Sequence, residues 1–126
     1  MDRPDIRFGA VTIDCARDQV HHLILFYTML LGLKLDGSEE DDFPYLAGDG
    51  FGITLQVLED YVPPTWPSNE RGKQMHMDFV VKNLPEAVIY AKSMGAVDSP
   101  EQFSKRWHVM LDPAGHPFCL CLVSDS

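Results

Sequence analysis

The stretch from Gly95 to Gly115, GAVDSPEQFSKRWHVMLDPAG, and an earlier one from Gly32 to Gly52, GLKLDGSEEDDFPYLAGDGFG, decide how this chain is read. Each opens on a glycine and places, 17 residues later, an Asp that starts a D-x-x-G turn. Gly32 and Gly95, Asp49 and Asp112, and Gly52 and Gly115 are therefore all 63 positions apart. One matched pair means little in a chain with 9 glycines, but three at the same punctuation points mark a duplicated unit.

Upstream of each leading glycine lies a helical pattern. Val20, Leu23, Ile24, Tyr27, Leu30 and Leu31 follow the spacing of an amphipathic helix, with Asp18 as its expected N-cap and Gly32 as its end. The second helix, Leu84 to Met94, is punctuated by Asn83 and Glu86 at capping-box spacing, Pro85 in the first turn and Gly95 beyond the end. A strand precedes each helix, Ile6 to Cys15 and Gln74 to Lys82. Three follow each: near Leu33 to Leu35, Phe43 to Ala47 and Gly52 to Glu59, then Ala96 to Asp98, Arg106 to Leu111 and His116 to Val123. Before the helices the offset becomes 66, pairing Ala10 with His76, so the first loop and helix together are three residues longer. Between the units, Pro63, Pro64 and Pro67 surround Trp66, and a segment so rich in proline runs as an extended connector outside any sheet interior. The expected architecture is α+β: one domain over residues 1–126 made of two tandem βαβββ modules, about 5–60 and 74–124, joined by the connector 61–73.

With 126 residues and 45% apolar content the chain fills one core, not two. Its 10 Lys and Arg against 19 Asp and Glu give a charge of -9, which repels phosphate backbones and anionic lipid, so nucleic acid and membranes are not expected partners. Glu39 to Asp42, four consecutive carboxylates, reads as a solvated loop. The N-terminal residues lack an apolar run of signal or spanning length, and Cys15, Cys119 and Cys121 cannot all pair within the chain. Reduced thiols and a cytoplasmic location are expected.

Several runs resemble the glyoxalase-like and bleomycin-resistance proteins of the vicinal oxygen chelate superfamily: Ala10 to Cys15, Leu30 to Leu33, Tyr61 to Pro67 leading to Met75 to Phe79, and Asp112 to Leu120. The resemblance implies two modules whose sheets curl into a cup holding a substrate or metal. It also implies a homodimer. Chemistry is left open by it, since such proteins include isomerases, extradiol dioxygenases, thiol transferases and antibiotic-sequestering proteins without catalysis.

Alternation assigns Val11, Ile13, Leu55, Val57, Phe79, Val81, Phe118, Leu120 and Leu122 to the helix side of the sheets. The cup side then receives Thr12, Thr54, Gln56, His76, Asp78, Cys119 and Cys121, with Tyr45, His108 and Met110 expected to join them. This mixture of polar and apolar groups suits a ligand pocket. Metal-dependent members of the family place ligands at four positions, which the resemblance carries onto Ala10, Gln56, His76 and Cys119. Only His76 and Cys119 are credible donors, so no cofactor is expected; the alternative is a divalent ion such as zinc, nickel, manganese or iron on Gln56, His76 and Cys119. His76 is either the acid or base of a reaction, with Asp78 beside it, or the anchor of a ligand or water. Trp66, held by rigid connector, either stacks on a planar ligand at the cup mouth or is an exposed or interface tryptophan. The expected function is a metal-free binder of a small hydrophobic or aromatic metabolite, as in antibiotic sequestration, with a lyase, isomerase or dioxygenase using His76 as the alternative.

Overall fold

A computed structural model describes residues 2–4, 10–72 and 76–122. The parts of the expected strands at Ile6 to Gly9, Gln74, Met75 and Val123 lie outside these residues. The first module runs β1 (Val11–Cys15), a 3-10 turn (Arg17–Gln19), α1 (Val20–Leu31), β2 (Lys34–Asp36), β3 (Tyr45–Ala47) and β4 (Gly52–Val57). The second runs β5 (Met77–Val81), α2 (Leu84–Ser93), β6 (Val97–Asp98), β7 (Trp107–Leu111) and β8 (Pro117–Leu122). Each module forms a four-stranded mixed sheet of the same topology, β1-β4-β3-β2 and β5-β8-β7-β6, in which the outer pair β1/β4 or β5/β8 is parallel. A parallel pair needs a crossover, and α1 or α2 supplies part of it.

Helix ends follow the sequence with one correction. Asp18 does not cap α1; it lies exposed in the 3-10 turn, where the Gln19 side-chain oxygen instead accepts the Ala16 N–H at 2.7 Å. This turn accounts for part of the extra length before the first helix. Gly32 ends α1 at φ +71, and Asn83 Oδ1 caps α2 by accepting the Glu86 N–H at 3.0 Å.

The two helices contribute unequally to the core. α1 buries Val20, Leu23, Ile24, Phe26 and Tyr27, each contributing about 1.5–3 kcal/mol of burial, whereas α2 fully buries only Ala91. Phe26 stacks obliquely on Phe118 of β8, with ring centroids 5.8 Å apart, and Tyr27 donates to Asp112 Oδ2 at 2.6 Å in the buried interior. Asp112 Oδ1 in turn accepts from the N–H groups of Ala114 and His116 at 2.8 and 3.0 Å. The His116 ring reaches back to β1, where Nε2 lies 2.6 Å from the Asp14 carbonyl; a carbonyl only accepts, so Nε2 carries the proton. The Asp112 turn, legible in the sequence only as a turn, thus stitches the modules together. Among the described residues no helix is long and apolar enough to cross a membrane.

The repeat is real, but its offset drifts. Ala47 pairs with Gly52 across a four-residue loop, and Leu111 with Pro117 across a five-residue one. The offset is therefore 65 in the last strands, and the counterpart of Gly115 (φ +90) is Gly50 (φ +89), not Gly52.

Candidate functional site

In the parallel pair β5/β8, Asp78 lies opposite Cys119, which sets both side chains on the cup face. His76, two residues before Asp78, faces the same way and brings Nε2 to 3.4 Å from Asp78 Oδ1. One donor atom from each of His76, Asp78 and Cys119 lies within 4.8 Å of the others. Cys119 is buried, and burial first, then the charge of Asp78, pushes its thiol up to about 11. Cys121 is raised as well, again chiefly by burial.

The connector covers this floor. The Trp66 ring meets the His76 ring edge to face at 5.7 Å and Phe103 at 6.5 Å. Beneath it lies a cavity of about 450 Å³ whose apolar walls are Trp66, Phe103, Trp107 and Val109 and whose polar floor is His76, Asp78 and Cys119. Val109 is only 1% exposed although it points away from the helices, so the middle of this face is covered, while Trp107, His76 and Asp78 remain exposed at its margin. His76 also borders a second, open cavity of about 540 Å³ between β1, the connector and the starts of β5 and β8, with Thr12, Asp14, Tyr61, Arg71 and His116 as its polar lining. Burial raises the Tyr61 hydroxyl well above its ordinary range, and it donates to the Ala114 carbonyl at 2.7 Å.

Of the residues expected at the site, Trp66, His76, Asp78 and Cys119 are brought together. Thr12 lines the adjoining cavity. Tyr45, Thr54 and Gln56 share a face of the first sheet, with Tyr45 opposite Thr54, but line neither cavity. His108 and Met110 are corrected. They pair with Leu120 and Phe118 and therefore share the helix face; Met110 is fully buried in the core, and His108 Nε2 contacts Asp98 Oδ1 at 2.8 Å. A four-residue turn at 112–115 would have set His108 opposite Cys119; the observed loop includes His116 as a fifth residue, and a slip of one flips every side chain. Trp107 and Val109 take the cup positions instead, unrecognised from the sequence because both faces of β7 carry apolar residues. Phe103 and Arg71, on irregular segments, gave no periodic signal at all.

Register also corrects the ligand set implied by the family. Thr12 pairs with Thr54 as Asp78 pairs with Cys119, so the first-module counterpart of Cys119 is Thr54 and not Gln56. Ala10 and Thr54 supply a methyl and a neutral hydroxyl, which do not complete a four-ligand metal site shared between modules. Imidazole, carboxylate and thiol all belong to the second module.

A family model described as a glyoxalase-like domain matches residues 10–121. No curated protein matches. Among solved structures, a glyoxalase/bleomycin resistance protein/dioxygenase family enzyme from Burkholderia phytofirmans PsJN aligns over 94% of this chain and 100% of its own, at 18% identity and a TM-score of 0.69. The trypanothione-dependent glyoxalase I of Leishmania major aligns over 94% and 87%, at 19% identity and a TM-score of 0.63. A lactoylglutathione lyase from Agrobacterium tumefaciens aligns over 95% and 96%, at 13% identity and a TM-score of 0.61. At these identities the likeness is one of fold.

Proposed function

Because the chain belongs to the glyoxalase-like domain family, whose fold holds small molecules in its cup, we propose that it binds a small, planar, partly apolar molecule beneath the connector tryptophan. The observation that carries this reading is the aromatic cage: Trp66, Phe103 and Trp107 wall a cavity of about 450 Å³ that has His76 and Asp78 on its floor. A net charge of -9, with Asp78 in the cavity, favours a ligand bearing positive charge. Binding of this kind needs neither metal nor turnover, as in sequestering and resistance proteins.

Both tryptophans of the chain line this cavity, so intrinsic fluorescence reports its occupancy directly. Titration with a panel of planar cationic aromatics is expected to give a saturable change, weakened in Trp66→Ala, where Trp107 still reports, and in Asp78→Asn. A flat response across the panel, or equal affinity in both variants, overturns the reading.

The second reading is a lyase or isomerase in which His76 moves a proton, favoured by its 3.4 Å approach to Asp78 under an apolar roof. The glyoxalase I and the lactoylglutathione lyase named above are enzymes of this fold. Their substrates offer the first assays. An enzyme is expected to lose far more kcat than substrate affinity in His76→Ala, whereas a binder changes in affinity alone.

A further inference from the structure

We propose that His76, Asp78 and Cys119 form a site for a zinc-class divalent cation, held by the second module alone. Three observations converge on it. The donor types are imidazole, carboxylate and thiol, the set that zinc takes from proteins and that magnesium or calcium does not. Their atoms already lie within 4.8 Å of one another, with His76 Nε2 and Asp78 Oδ1 at 3.4 Å. Tetrahedral zinc at its usual bond lengths needs donors about 3.3–3.8 Å apart, so sub-ångström to ångström-scale side-chain adjustments close the set. Finally, the set is built into the fold: the parallel register places Asp78 beside Cys119, and the Trp66 ring packs against the His76 imidazole, restricting its rotation.

Asp78 distinguishes this site from one shared between modules. It stands at none of the four ligand positions that the family resemblance implies, and it replaces the donors that Ala10 and Thr54 cannot supply. Three protein ligands leave a fourth position open toward the cavity of about 450 Å³. An ordinary surface pair of His76 and Asp78 would make no use of the thiol below it, and this difference makes the proposal testable without any knowledge of the ligand.

The full chain, purified without a metal-chelating tag and stripped with a chelator, is titrated with zinc and separately with cobalt, and metal content is measured after dialysis. About one zinc per chain is expected to be retained, and cobalt to show a thiolate charge-transfer band with tetrahedral visible bands. Cys119→Ser removes that band, and Cys119→Ser, Asp78→Asn and His76→Ala each weaken zinc by more than about tenfold, while Cys121→Ser and Gln56→Ala leave it unchanged. Circular dichroism confirms that each variant is folded, and Asp78→Asn, nearly isosteric, serves where His76→Ala is not. No retained zinc, a cobalt spectrum without thiolate character, or equal loss in Cys121→Ser overturns the site. Fluorescence binding that persists in stripped protein leaves the ligand reading standing whatever the metal result.

Discussion

Tyr27 and Asp112 show how one buried contact joins chain segments far apart in sequence. Burial raises the Asp112 carboxyl, while the nearby His116 ring and then hydrogen bonds from Tyr27 and from the His116 and Ala114 N–H groups oppose that rise. Tyr27→Phe leaves that buried acceptor one donor short and is expected to cost about 1–3 kcal/mol in urea denaturation, with the slope unchanged; a loss below about 0.5 kcal/mol means that the bond contributes nothing net. Asp98 gives the opposite case, at the surface. Hydrogen bonds from Lys92 and His108 lower its carboxyl, so its contribution is present above the unfolded carboxyl value of about 3.9 and is lost as pH falls through the folded one. Being largely exposed, it contributes less than about 1 kcal/mol. The stability difference between wild type and Asp98→Asn is expected at neutral pH and to close in acid; a difference that persists in strong acid assigns Asp98 some other role. His76, Asp78 and Cys119 were legible as cup residues because the large apolar Phe79, Val81, Phe118 and Leu120 take the alternate positions of β5 and β8 and leave these three on the other face. The three became a cluster only through the register between those strands.

Among the elements, α1 and α2 hold equivalent places in the repeat but differ in burial, in keeping with α1 having no Asp, Glu, Lys or Arg and α2 carrying Glu86 and Lys92. Phe26 is fully buried between Tyr27 and Phe118, and Ile89 of α2 is 70% exposed. Phe26→Ala is expected to cost about 3–5 kcal/mol by denaturation, and Ile89→Ala less than about 0.5 kcal/mol. Comparable losses would mean that α2 is covered in solution by something else, a partner chain included. The strands show the limit of sequence reading more sharply. β7 was found where expected, yet its faces were reversed, because the length of the Asp112 to His116 loop sets its parity and composition does not reveal that length.

At the scale of the whole molecule, we propose the homodimer that the family resemblance implies. Sedimentation equilibrium is expected to give twice 14.2 kDa at micromolar concentration, and a mass of 14.2 kDa throughout overturns it. The sequence by itself determined the duplicated βαβββ order, the helices and the division of most strand residues between core and cup, because periodicity and Gly and Asn punctuation act locally. The proline-rich segment, expected to run extended, instead bends back so that the Thr65 N–H donates to the Arg71 carbonyl at 2.8 Å. Only tertiary structure decided which cup residues meet. The connector lays Trp66 on His76, β7 contributes Trp107 and Val109 rather than His108 and Met110, and His116 ties the second module to β1. Those outcomes depend on loop length, strand register and chain crossings between residues up to 102 positions apart, and no local pattern encodes them.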